Sequence, residues 1–169
     1  MRSTVLTRLV LGVALALSGC TAPAGDDPDP GPGALPAAPA SLSFTAETLD
    51  GSTLDGRSLA GRPAVFWFWA PWCPTCRAQA GTVQAVSATY AGRVHVVGVG
   101  GLAPPADIRD YGSSVDGVTH LVDEDGSLWV HFAVTAQSTY VLLDADGRVA
   151  AQGYLDNEDL AARVAELVG

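Results

Sequence analysis

Lysine is absent from this 169-residue chain. All nine basic side chains are therefore arginine, set against 18 acids, for a formal charge of −9. If residues 1–19 are removed, Arg2 and Arg8 leave with them, and seven arginines face the same 18 acids, a balance of −11. So acidic a surface excludes the basic patch that nucleic acid requires. It equally excludes electrostatic holding of anionic lipid. Cysteine and histidine are scarce, three of each. One CxxC exists and a second does not, and His95, His120 and His131 stand at no ligand-like spacing from it. A zinc site therefore lacks its donors, and neither metal nor cofactor is expected. No apolar run reaches the ~20 residues that cross a bilayer. Aromatics are few, yet three of the four tryptophans (Trp67, Trp69 and Trp72) crowd one short stretch.

The N-terminus reads as an address. Arg2 and Arg8 precede an apolar run over residues 9–17, the length of a secretory h-region. The run ends in Leu17-Ser18-Gly19-Cys20, which resembles the bacterial lipobox. That resemblance implies cleavage before Cys20 and a diacylglycerol on its sulfur. It also accounts for the odd cysteine, leaving one pair for the folded domain. Acyl chains stabilise membrane attachment by about 0.8 kcal/mol per buried methylene. Residues 20–40 are rich in Pro, Gly, Ala and Asp and lack the apolar side chains of a core, so they read as a disordered tether. Stiffened toward polyproline II at about 3.1 Å per residue, twenty such residues reach roughly 60 Å.

From residue 41 to residue 169 the pattern is that of one folded domain. Residues 42–46 alternate like a strand. Asp50-Gly51 and Asp55-Gly56 are turn signals. Residues 64–70 form a continuous apolar run between Pro63 and Pro71, as in a strand buried on both faces. A helix follows, with Ala80, Val83, Val86 and Tyr90 on one face and Gly92 as its stop. Residues 94–99 are a second buried strand, 104–111 a helix with proline at its start, and Leu121-Val122 a short strand. Residues 127–132 form a short helix. Residues 139–143 and 149–152 flank Asp146-Gly147 as a hairpin, and 157–168 form a closing helix. Strands alternating with helices imply an α/β sheet.

Chemistry concentrates at Trp72-Cys73-Pro74-Thr75-Cys76, where the buried strand turns into the helix. Pro74 suits the first helical position, where its missing N–H is no loss. Cys73 then lies at the cap, facing unpaired amides and the positive end of the helix dipole. Cysteines in such motifs have pKa values lowered from about 8.5 into the range of roughly 3.5–7.5. Cys76 is one turn further on the same face, close enough to bridge, and its sulfur should be the more shielded. Thiolate attack by Cys73 on a disulfide, with Cys76 resolving the mixed disulfide, follows from this arrangement. Pro74 and Thr75 tune the thiolate. A purely structural bridge across so small a loop would constrain the unfolded chain little. His95, in a strand pattern, and His131, in a short helix, read as structural.

The segment Phe66-Trp67-Phe68-Trp69-Ala70-Pro71-Trp72-Cys73-Pro74-Thr75-Cys76-Arg77 resembles the active site of the TlpA/ResA/DsbE (redoxin) branch of thioredoxin-like proteins. Thr48-Leu49-Asp50-Gly51 and Leu59-Ala60-Gly61-Arg62-Pro63 match that branch's lead-in hairpin and loop, and Val134 through Gly147 resembles its later strand pair. The resemblance implies a thioredoxin-like fold: a central mixed sheet flanked by helices, with an N-terminal hairpin extension. It implies extracytoplasmic exchange with thiols or disulfides of secreted proteins or apocytochromes, and a membrane or extracytoplasmic partner that recycles the pair.

Three positions depart from the family pattern. Ser138 stands where the family places its cis-proline, after Gln137. A cis bond before serine costs about 3 kcal/mol, so a trans peptide is expected there. Gln79 stands where reductive members often carry glutamate, and it cannot exchange a proton with Cys76. Trp67 occupies the position of the buried aspartate of ordinary thioredoxins. The expected function is a membrane-tethered thiol–disulfide oxidoreductase, its site formed by Cys73 and Cys76 amid Trp72, Pro74, Thr75, Gln79, Gln137 and Ser138. The alternative is a lipoprotein that holds a metal or a partner with the cysteine pair as ligands, suggested by Ser138.

Overall fold

The computed structural model describes residues 40–169. The expected signal segment, Cys20 and all but the last residue of the expected tether lie outside the described residues.

Among the described residues seven strands make one sheet: β1 (Thr45–Thr48), β2 (Thr53–Asp55), β3 (Ala64–Trp69), β4 (His95–Gly101), β5 (Thr119–Asp123), β6 (Thr139–Leu143) and β7 (Val149–Gly153). Their order is β2-β1-β5-β4-β3-β6-β7. β3, β4 and β5 run parallel, and the outer strands pair antiparallel. Three helices connect them, α1 (Pro74–Thr89), α2 (Pro105–Gly112) and α3 (Ser127–His131), and α4 (Asn157–Val168) follows the last strand. This is the mixed thioredoxin-like sheet, with a β1–β2 hairpin added ahead of β3.

β3 sits at the centre because all six of its side chains are apolar and buried. The two-residue period of a strand divides them between faces. Val65, Trp67 and Trp69 join the core under α1, α2 and α4, with Cys76, Val83, Ile108, Leu160 and Val164. Ala64, Phe66 and Phe68 join Leu128, Trp129 and Phe132 of the α3 region on the opposite face. β4 answers the wide tryptophans with glycine: a Cβ on Gly98 would collide with His120 and Trp69, and one on Gly100 with Trp69 and Ile108.

One local expectation gives way. Residues 40–42 form a 3₁₀ turn, and the strand starts only at Thr45, because Phe44 N–H bonds back to Leu42 C=O at 3.0 Å. The turn expected at Asp55-Gly56 is present, as a helical turn rather than a strand reversal. Asp55 closes β2 and accepts from Arg57 N–H, capping a second 3₁₀ turn over Gly56–Leu59. Near the C-terminus the expected hairpin forms, with Gly147 at φ 75° and Asp144 accepting from the Asp146 and Arg148 amides, both at 2.9 Å.

Candidate active site

β3 delivers the chain to the carboxyl end of the parallel strands, and α1 begins five residues later with Pro74 at its first turn. Cys73 is the N-cap, in extended backbone, and its Sγ accepts from Cys76 N–H at 3.2 Å. Its carbonyl accepts the first intrahelical bond, from Arg77 N–H. The two cysteines are joined as a disulfide with Cα atoms 5.3 Å apart. Cys76 is fully buried and Cys73 is 4 % exposed, so the order of shielding agrees with its place in the helix. Pro74 and Thr75 are exposed above them.

The wall before the cysteines is fixed by hydrogen bonds. Trp72 is 56 % exposed, yet its indole N–H donates to Leu102 C=O at 2.9 Å. Arg77 donates twice to Pro71 C=O, at 3.0 and 2.6 Å, and its guanidinium lies 4.8 Å from the Tyr111 ring centre.

One turn beyond Cys76 on the buried face of α1, Gln79 belongs to a buried polar chain. Trp67 Nε1–H donates to Ser138 Oγ at 3.1 Å, Ser138 Oγ–H donates to Gln79 Oε1, and Gln79 Nε2–H donates to Leu155 C=O at 3.0 Å. Trp67, Gln79 and Ser138 are all buried. This arrangement corrects the expectation of a trans peptide before serine: Gln137–Ser138 is cis. Tertiary contacts decide the matter, because the hydroxyl of Ser138 is held from both sides by groups on β3 and α1. The position aligned with the buried aspartate is thus an indole donor, and Gln79 serves as a hydrogen-bonding link. Residue-by-residue reading missed this chain because its members are 59 and 71 positions apart. One signal was available: Gln79 is a polar residue in line with Val83 and Val86 on the buried face of α1.

The remaining polar candidates are structural. Asp123, buried, accepts from the Leu128 and Trp129 amides and starts α3. His131 bonds Ser41 C=O at 3.0 Å. Burial, with the nearby Arg62 charge, pushes His95 below the usual histidine range. Burial pushes His120 down to about 4 against a small opposing effect of its bond to Val115 C=O. Among the described residues no group of three or more His, Cys, Asp or Glu side chains is placed to hold a metal ion.

Comparison with known proteins agrees with this geometry. The redoxin family model matches residues 35–167. The soluble secreted antigen MPT53 of Mycobacterium tuberculosis is 38 % identical over 139 residues, covering 78 % of each chain. The solved DsbF of the same bacterium is 42 % identical, with a TM-score of 0.72 over 78 % of this chain and 99 % of that one. A secreted M. tuberculosis disulfide oxidoreductase homologous to E. coli DsbE is 37 % identical, with a TM-score of 0.69 over 75 % and 98 %. The chain belongs to the redoxin family and is a thiol–disulfide oxidoreductase of the DsbE and thioredoxin type, built around the Cys73–Cys76 pair.

Proposed function

We propose that this is an exported, membrane-tethered oxidoreductase in which Cys73 attacks and Cys76 resolves. The observation that carries the division of labour is the Cys76 amide donating to Cys73 Sγ at the N-terminus of α1. In the reduced protein the same amide and the helix dipole favour the Cys73 thiolate. Cys73 attacks one sulfur of a substrate disulfide, that bond breaks, and the other sulfur leaves as a thiolate. Cys76 then loses its proton to water, attacks Cys73 Sγ and releases the second substrate thiol. Two electrons pass to the substrate and the protein pair becomes a disulfide. The steps reverse when the protein donates its disulfide. In this reading Trp72, Pro74, Thr75, Gln79, Gln137 and Ser138 are assigned as the environment of the cysteine pair.

The export reading rests on residues 1–19 as a lipoprotein signal, Cys20 as the acylated residue and residues 20–40 as a tether for the 41–169 domain. Relatives described as secreted support an extracytoplasmic location. No helix among the described residues is long and apolar enough to cross a membrane. The proposed anchor is the lipid on Cys20, read from the lipobox-like Leu17-Ser18-Gly19-Cys20. A membrane or extracytoplasmic redox partner then recycles the pair.

Two experiments test the reading. Insulin reduction or oxidative refolding should vanish in Cys73→Ser, and a well-folded wild type that exchanges with no dithiol would sink it. Fractionated cells should hold the protein in membranes and release it in Cys20→Ser. The reduction potential assigns direction: near about −270 mV the protein is a reductant, and near about −120 mV a disulfide donor.

A further inference from the structure

Any polypeptide bonded to Cys73 must lay its flanking residues on the surface around Trp72. On one side that surface is a groove of about 670 Å³, walled by Pro71, Trp72 and Arg77 and by Asp107, Asp110 and Tyr111 of α2. Trp72 is held there by its bond to Leu102, so an exposed indole stands in a set position rather than swinging free. Both aspartates are exposed, and neither carboxylate has an ion-pair partner among the described residues. Arg109, on the same helix, turns to Glu47 and to the Thr48 and Leu49 carbonyls. Arg77 is engaged with Pro71 C=O and the Tyr111 ring. One guanidinium against two carboxylates leaves the groove with a net charge of −1.

Helix stability does not account for Asp110. It lies in the last turn of α2, where the dipole disfavours a carboxylate. Resting on the Cys73 reading above, we infer that this groove is a specificity subsite for a lysine or arginine side chain next to the substrate cysteine. The cation would meet the two carboxylates and the indole face, a pairing that opposite charge and the ring quadrupole both favour. The preference suits the chemistry. A basic neighbour lowers the pKa of the substrate thiol, which raises its thiolate fraction when it attacks the oxidised pair and makes it the better leaving group when Cys76 resolves the mixed disulfide. The subsite therefore selects for the cysteines that exchange most readily.

The test uses the oxidised protein and three dithiol peptides, identical except for Arg, Ala or Glu flanking each cysteine. The second-order rate of reduction is followed by tryptophan fluorescence. The wild type should prefer the Arg peptide over the Glu peptide, and salt should shrink the preference. Asp107→Asn with Asp110→Asn should lower the Arg-to-Glu rate ratio by about fivefold, the scale of two exposed ion pairs. Glu124→Gln with Glu158→Gln, which removes the same charge outside the groove, should keep the wild-type ratio. A ratio that stays the same in the aspartate variant overturns the subsite, as does an equal fall in the control variant. If the wild type reacts with none of the peptides, the Cys73 reading itself fails. Exchange without charge preference removes the subsite alone.

Discussion

Acidification should destabilise this protein through His120, a group remote in sequence from the cysteine pair. The ring is buried, its Nε2 bonds Val115 C=O at 3.2 Å, and its Nδ1 has no hydrogen-bond partner among the described residues. Trp69 packs edge-on at 5.4 Å between ring centres and Trp67 at 6.3 Å. None of its hydrogen bonds is to a carboxylate that could balance a second proton. Burial therefore holds the folded-state pKa down at about 4, against 6.5 for an ordinary histidine. Between those values the unfolded chain binds a proton that the folded chain refuses, so stability falls as pH falls. The contribution is complete above pH 6.5, is lost on the way down to about pH 4, and then levels off. At 1.36 kcal/mol per pH unit the loss approaches about 3 kcal/mol, a large share of a typical domain's stability. Denaturant unfolding followed by tryptophan fluorescence, repeated between about pH 7 and about pH 4, reads it directly. His120→Phe keeps a ring in the slot and removes the titration. It should start less stable, for want of the Val115 bond, but lose less stability across the window by about the same 3 kcal/mol. Asp50 does not blur the comparison. Bonds from Thr48 and then Ser52 hold it at about 2, so it titrates below the window. Equal pH slopes for wild type and variant would refute the reasoning.

Three substitutions probe other parts of the frame. Ser138→Ala leaves the Trp67 indole N–H and Gln79 Oε1 buried without their shared partner, and denaturant unfolding should show a loss of roughly 1–3 kcal/mol. Gly98→Ala drives a methyl into His120 and Trp69, both buried and unable to retreat. A melting curve should record a loss of at least about 1–3 kcal/mol. Asp156→Ala removes the cap that accepts from the Glu158 and Asp159 amides. It should cost about 1 kcal/mol and raise amide exchange in the first turn of α4.

What was legible in the sequence was what local pattern encodes. The six-residue apolar run, the proline after Cys73 and the i, i+3 spacing of the cysteines are sufficient to place a thiol pair at a strand-to-helix junction. The closing helix begins and ends where the sequence reading put it, because Asp156 and Gly169 bracket an amphipathic stripe. What resisted reading depends on partners far along the chain. The cis peptide before Ser138 opposes local preference and is held by Trp67 and Gln79. Likewise His120 looks like any strand histidine until Gly98 and Trp69 are seen to close over it. The groove beside Trp72 was also hidden, since α2 brings Asp107 and Asp110 to it only through the order of β3, β4 and β5.

The most direct test of the account is to trap the mixed disulfide. Cys76→Ser, mixed with a peptide disulfide and analysed by intact-mass spectrometry and peptide mapping, should accumulate a one-to-one adduct on Cys73, and Cys73→Ser should accumulate almost none. Adducts forming equally well on Cys76 in the Cys73→Ser protein, or on neither cysteine in either variant, would contradict it.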